Sequence, residues 1–214
     1  MARKTKEDAL VTRNILLDSA ESVFFEKGFA NTTLMDVANH AGLTRGAIYW
    51  HFKNKNDMFE AMVERVHLPI EQVAKACAAA DEPDPLGKFR EFSINFLLQV
   101  AHDRRQQQVF TVLLHKFEYN GQLAEMECKK EQSYNEFTDT IETILKNAIQ
   151  RQQLPADLDT RKAAIIKHAY FSGILNNWLL FPQSFDLAGV AESLVDSFFF
   201  TLQHSPNLRL PPSA

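Results

Sequence analysis

The chain has 214 residues, 45% of them apolar, and a net charge of −4. That length supports one or two domains with a hydrophobic core of their own. A count of only seven glycines, together with long helix-compatible stretches, argues against an all-β fold. No apolar run reaches the roughly 18 residues of a membrane-spanning helix. The opening MARKTKEDALVTR is charged and lacks the apolar centre of a secretory signal. Cys77 and Cys128 stand alone, with no CxxC pair and no histidines gathered around them. They read as reduced thiols of a cytoplasmic protein, with no metal, cofactor or disulfide expected. Residues 1–55 hold eight Lys/Arg against six Asp/Glu, and the remainder is net acidic. A mildly basic head on an acidic body suits a module that touches phosphate while the rest stays off it.

The first helix is predicted over Lys6–Lys27, with Leu16, Ala20, Val23 and Phe24 as its inward stripe. Gly28 follows as a left-handed terminator. Thr33 is the expected N-cap of a second helix, and Asp36, three residues on, can reciprocate as a capping box. Leu34, Val37, Ala38 and Ala41 mark its inner face, and Gly42 ends it. Thr44 is a second N-cap after a turn of three residues, and RGAIYWHF continues as a third helix. Two short helices joined so tightly must cross steeply, which is the helix-turn-helix arrangement. Its second helix is the one that enters a DNA major groove.

LTRGAIYWHFKNKNDMF, residues 43–59, then carries the functional reading. Ile48 and Phe52 share the inner face. Arg45, Tyr49 and part of Trp50 face outward, and His51 sits at the helix end beside Lys53 and Lys55. Hydroxyl, indole, imidazole and guanidinium groups beside two helix N-termini form a phosphate-gripping surface. Gly46 permits close approach of the backbone, and Arg45 carries the fork that matches guanine O6 and N7. Asn54 is expected to cap a fourth helix, with Asp57 at its third position.

These residues bring a known family into view. TTLMDVANHAGLTRGAIYWHFKNKNDMF closely resembles the DNA-binding signature of the TetR family of bacterial repressors. MARKTK, TRGAIYWHFKNK, DPLGKFRE, LHKFEY, LPADLDTRKAA and NWLLFPQSFDL resemble the AcrR-type repressors of multidrug efflux pumps. The resemblance implies an all-α homodimer of about nine helices. Residues 1–54 would form the DNA-binding domain, 55–204 a ligand-binding and dimerisation domain, and 205–214 a loose tail. It implies that Thr33 and Thr44 bond phosphate or cap their helices, that Arg45 and Gly46 face bases, and that Tyr49, Trp50 and His51 hold the DNA backbone. Lys55 would clamp a phosphate.

Thirteen of the 17 phenylalanines lie after residue 55. Val66 closes the stripe of the fourth helix, where Pro69 is expected to stop or kink the chain. Phe89, Phe92 and Phe96 share one face of the next helix. Phe110 and Leu114 mark another, Phe137 a long one, and Phe171, Ile174 and Trp178 the eighth. Together with the resemblance they imply an aromatic-lined pocket between helices four and eight that takes bulky apolar compounds. His115, Glu118, Gln132 and Asn176 are its candidate polar anchors. Phe110 and Leu114 stand where the family often has polar residues, which implies a greasier pocket. Leu187, Val190, Leu194, Phe198 and Thr201 form the stripe of a last helix whose Phe199 and Phe200 exceed what one packed face needs, a sign of a partner surface. With Asn177 and Phe181 of the eighth helix they form the expected dimer interface.

The resulting expectation is a repressor that binds a palindromic double-stranded operator as a dimer, is released by small hydrophobic effectors, and controls an efflux pump operon. A regulator of metabolic genes with a metabolite or lipid inducer is the alternative. An enzyme is disfavoured: HExxH, GxSxG and phosphate-binding glycine loops are all missing from the sequence.

Overall fold

A computed structural model describes residues 6–117 and 124–211, the side chains of 124–127 excepted. Among them are nine α-helices: α1 (Lys6–Lys27), α2 (Leu34–His40), α3 (Arg45–His51), α4 (Lys55–Cys77), α5 (Pro85–His102), α6 (Arg104–Thr111), α7 (Ala124–Gln150), α8 (Thr160–Leu180) and α9 (Leu187–His204). A π-turn over Val112–Lys116 follows α6, and a 3-10 turn over Pro206–Leu208 follows α9. The expected all-α class is the observed one. No helix of the described residues is long and apolar enough to cross a membrane.

The chain divides into two compact units, Met1–Leu68 with Arg104–Glu118, and Pro69–Asp103 with Tyr119–Ala214. In the first, α1 is the post on which α2, α6 and the π-turn pack. Leu16, Leu17, Ala20, Val23 and Phe24 are its buried face. Gly28 (φ +79°) and Gly42 (φ +66°) end α1 and α2 in the left-handed region that favours glycine. After α2 the Leu43 N–H donates to Ala38 O (2.9 Å) and the Gly42 N–H to Asn39 O (3.1 Å), a complete Schellman closure that sets the sharp turn into α3. Phe24, Phe29, Phe59 and Phe117 form a ring cluster with centroids 4.5–5.9 Å apart, tying α1, α4 and the end of the π-turn together.

The π-turn is held at both ends of its last residue. The Lys116 ammonium donates to Phe25 O, and Lys116 O accepts the Phe29 N–H at 3.3 Å. Glu21, buried on α1, pairs with Arg65 of α4 and Arg105 of α6. Segment 104–117, distant in sequence, is thereby built into the unit that carries α2 and α3.

In the second unit α5 packs on α9 and α7 on α8. Asp84 caps α5 through the Gly87 N–H (2.9 Å) and Asp159 caps α8 through the Lys162 N–H (3.0 Å). Arg90 of α5 grips both Asp196 and Glu192 of α9.

Two expectations are corrected. Of the stop or kink expected at Pro69, the stop is absent: α4 runs through the proline to Cys77, with one N–H removed from its ladder. The segment after α9 is not a loose tail over its described part. Leu208 is 2% exposed, the Asp159 N–H donates to Leu208 O (2.9 Å), and the Leu210 N–H donates to Asp157 O (2.7 Å). Arg209 donates to the carbonyls of Leu202 and Gln203 at the end of α9. A buried leucine supplies the apolar contact that a polar tail lacks. Leu208→Ala should therefore lower unfolding free energy by about 2–4 kcal/mol in urea denaturation, and exposed Leu210→Ala should change it by under about 0.5 kcal/mol.

Candidate nucleic-acid interface and ligand site

α3 has seven residues, and its register decides what each side chain meets. Ile48 and Phe52 are sealed into the first unit. Arg45, Gly46, Tyr49 and Trp50 are exposed. Tyr49 shows 48% and Trp50 71% of its surface, an unusual exposure for large rings in a folded chain. The Arg45 guanidinium lies 5.5 Å from the Tyr49 ring centre, a cation–π contact that steadies both outward groups. His51, half-buried, meets the Trp50 ring edge-on at 4.5 Å.

Both threonines act as caps. Thr33 Oγ1 accepts the Asp36 N–H (3.1 Å), and the Thr33 N–H donates back to Asp36 Oδ2 (2.9 Å). The Lys27 ammonium, with the Thr33 hydroxyl and N–H, holds the Asp36 carboxyl well below the usual carboxylate range. Thr44 Oγ1 accepts the Ala47 N–H (3.3 Å), which leaves its own O–H as a donor. Asn54 caps α4 through the Asp57 N–H (2.8 Å), and Asp57 Oδ2 accepts the Lys53 N–H (2.9 Å).

Lys55 differs from the expectation. Its ammonium donates to Phe29 O (2.7 Å) and Ala30 O (3.2 Å) and lies 4.4 Å from the Phe29 ring centre. Burial pushes its pKa down. It ties α4 to the α1–α2 connection, and an ammonium held at two carbonyls has spent most of its three donors; a clamp on phosphate is not the role this geometry gives it.

The residues expected at the ligand divide between the units. Val66, Phe110, Leu114 and His115 belong to the first. Val66 and Phe110 are buried, Leu114 is exposed, and His115 is half-buried with its Nε2 enclosed and without a hydrogen-bond partner. Glu118 lies outside the described residues. Gln132 is exposed and donates to Glu136 on its own helix, so it is not an inward anchor. Asn176 is half-buried. In the second unit Phe89, Phe92, Phe171 and Trp178 are buried, while Phe96, Phe137 and Ile174 are partly so. Trp178 also pins the turn after α8 by donating from its indole to Phe185 O (3.2 Å).

The polar group among these rings is one that sequence reasoning missed. Lys167 is 4% exposed. Its ammonium lies 4.6 Å from the Phe171 ring centre, 5.0 Å from Phe137, 5.4 Å from Phe89 and 5.9 Å from Phe92. Burial alone pushes its pKa down to about 7. Next to it, burial first and the Lys167 charge second lower the His168 pKa. The available signal was spacing: Ala164, Lys167, Phe171, Leu175 and Trp178 fall on one buried α8 stripe.

Of the dimer candidates, Asn177 and Phe181 are exposed and Val190, Leu194 and Thr201 half-exposed. Phe198 is a correction. Its ring meets Phe171 (6.1 Å) and Phe199 (5.8 Å) inside the unit, because α9 turns Leu187, Ala191, Val195, Phe198 and Leu202 inward. Phe200 is the outward ring, with Ile165, Ile166 and Leu180 of α8 also exposed.

Known proteins share this arrangement. Residues 16–62 match the family described as bacterial regulatory proteins, tetR family, and residues 84–204 match the C-terminal region of the MAATS-type transcriptional repressors. The regulator TtgR of Pseudomonas putida is 38% identical over 209 residues, 98% of this chain and 100% of that protein. AcrR of Shigella flexneri is 40% identical over 211 residues, covering 99% and 98%. The chain belongs to the TetR family. Solved structures agree in fold. NalD, secondary repressor of the MexAB-OprM multidrug efflux pump in Pseudomonas aeruginosa, superposes with a TM-score of 0.81 at 31% identity over 92% of this chain and all of NalD. The SmeT–triclosan complex superposes with 0.83 at 30% identity over 95% and 96%. As a TetR-family regulator the chain is a DNA-binding transcriptional repressor, and α2–α3 is its helix-turn-helix.

Two outcomes test this placement. Lys55→Met should lower stability by about 1–3 kcal/mol without changing the salt dependence of DNA binding, read by titration between low and moderate salt; a phosphate-contacting lysine would reduce the log–log slope by about 0.9. The second is linkage at Lys167. The native amine loses its proton near pH 7, whereas an unfolded lysine holds its proton to about 10.4. Between those values the unfolded chain binds one more proton, so stability rises with pH, by up to about 1.4 kcal/mol per unit; below 7 both states are protonated and the contribution is flat. Lys167→Met lacks that titration, so the difference in unfolding free energy between wild type and variant should carry the slope, measured by denaturation at several pH values.

Proposed function

We propose that the protein binds a palindromic operator as a homodimer in the cytoplasm, is released by hydrophobic drug-like compounds, and represses a multidrug efflux pump operon. The exposed row Arg45, Tyr49 and Trp50, on a helix whose Ile48 and C-cap Phe52 are buried, carries the operator reading. Arg45 reads a base edge, Tyr49, Trp50 and His51 grip the backbone with the Thr44 hydroxyl, and Gly46 lets the chain approach. The dimer reading rests on the outward Phe181 and Phe200 with Ile165, Ile166 and Leu180 on α8 and α9, continued by Asn177, Val190, Leu194 and Thr201. Exposed apolar side chains at this density suit a partner surface. A two-fold dimer would set its two α3 helices about one DNA turn apart.

The effector reading is supported by the phenylalanines of the second unit and by the relatives. NalD and SmeT are repressors of multidrug efflux pumps, and SmeT is found with triclosan. Ligand and operator then weaken each other reciprocally, by about 1–3 kcal/mol.

Footprinting of the DNA beside the gene, followed by fluorescence anisotropy, tests this. Tyr49→Ala should weaken binding at every sequence alike, and Arg45→Ala should relax discrimination at one base pair by about 1–3 kcal/mol. A panel of dyes and antibiotics should raise the operator dissociation constant. Unchanged binding by both variants would refute the role of α3. A panel without effect, beside release by a metabolite or acyl compound, would refute the drug-responsive reading.

A further inference from the structure

Lys167 projects from α8 into a shell of four phenylalanine rings drawn from three helices, Phe89 and Phe92 of α5, Phe137 of α7 and Phe171 of α8. Nine-tenths or more of it is enclosed, and among the described residues no carboxylate pairs with it; the ring faces are its neighbours. The other strongly buried charge among the described residues is matched, Glu21 by Arg65 and Arg105. An ammonium has three N–H donors and seeks strong acceptors. Ring faces attract it through their quadrupoles but accept no ordinary hydrogen bond. What this enclosure lacks is an anion.

We propose that Lys167 is the anchor of a binding site for amphipathic organic acids, whose acidic group meets the Lys167 ammonium while the apolar body lies among Phe89, Phe92, Phe137 and Phe171. The inference rests on the effector reading above and names its ligand class. The chemistry is one-sided. An acid supplies the charge that burial denies the lysine, restores the protonated amine, and forms a charge-assisted hydrogen bond inside an apolar shell. A neutral compound of the same shape gains only the ring contacts, and a cationic one is repelled by the same amine. The site therefore sorts apolar compounds by charge, with acids ahead of neutral analogues. His168 follows it on α8, its pKa lowered by burial first and by the Lys167 charge second, and its ring lies 4.5 Å from that of Tyr134 and 6.2 Å from that of Phe137.

The test compares 2-naphthoic acid with 2-naphthamide, two compounds of nearly one shape and different charge. Full-length protein is titrated by calorimetry, and operator release is followed in parallel by anisotropy. Wild type should bind the acid at least about ten-fold tighter than the amide. Lys167→Met should bring the ratio to about one, with ligand-free operator affinity as in wild type, which also shows the variant to be folded. A wild-type ratio near one overturns the inference without needing the variant, and so does a preference for acid that survives in Lys167→Met. If the amide releases operator while the ratio is one, the charge-sorting inference fails and the effector reading stands. Failure of both compounds to bind also overturns the inference, and the effector reading is then decided by the dye and antibiotic panel.

Discussion

One buried carboxylate organises the DNA-binding unit. Glu21 sits on the inner side of α1, almost wholly enclosed, and faces Arg65 from α4 and Arg105 from α6, with exposed Asp18 reinforcing both arginines. Stranding such a charge would cost about 3–5 kcal/mol, so α1 cannot shift alone. The chain passes between the two units after Leu68, before Arg104 and after Glu118. Two of those passages lie within three residues of an arginine bound to Glu21. The third follows the π-turn, whose Lys116 is fastened to Phe25 and Phe29 at the end of α1. All three passages of the chain therefore adjoin residues fastened to α1, the helix on which α2 packs.

The recognition surface follows from the same economy of short elements. A seven-residue helix has room for little more than one inward stripe. Ile48 fills it, and the C-cap Phe52 just beyond is buried beside it, with the Arg13 guanidinium 4.8 Å from the Phe52 ring. The intervening positions are forced outward by the helical period, so Tyr49 and Trp50 are exposed because their neighbours are not. Rigid caps at Thr33 and Thr44 and the Schellman closure at Gly42 then leave α3 a single angle to α2.

Much of this was legible in the sequence because it is written locally. Caps three residues from their partners, glycine stops and a 3.6-residue stripe all act over one turn, and Thr33, Asp36, Gly28, Gly42, Thr44 and Asn54 stand as read. What was not legible depends on partners far along the chain. Lys55 looks like a phosphate ligand until the carbonyls of Phe29 and Ala30, about 25 residues earlier, are found against it. The Glu21 cluster joins residues 44 and 84 positions apart. Phe198 and Phe200 are equally apolar, and only the packing of α9, which sets Phe198 against Tyr170 and Phe171 of α8, decides which of them turns inward. Leu208 sits in a proline-rich segment whose composition suggests freedom, yet a single leucine with backbone bonds to residues 157–159 fixes it.

The two places where this chain breaks the rule of apolar inside and charged outside are opposite in kind. Trp50 and Tyr49 put ring surface into water on one unit, and Lys167 puts an amine into a ring-lined interior on the other. Each is unfavourable in the isolated molecule: the rings forgo burial worth about 25 cal/mol per Å², and desolvation of the charged amine pushes the Lys167 pKa down to about 7. A folded sequence keeps such local conflicts mainly where a partner resolves them. The partner implied at the rings is broad and polyanionic, since Arg45, His51 and the Thr44 hydroxyl accompany them. The partner implied at the lysine is small, apolar and singly acidic, since only one charge is left open and four rings surround it. Two ligands of unlike size, each relieving a different conflict in one chain, are what a molecule needs if occupancy at one site is to be felt at the other.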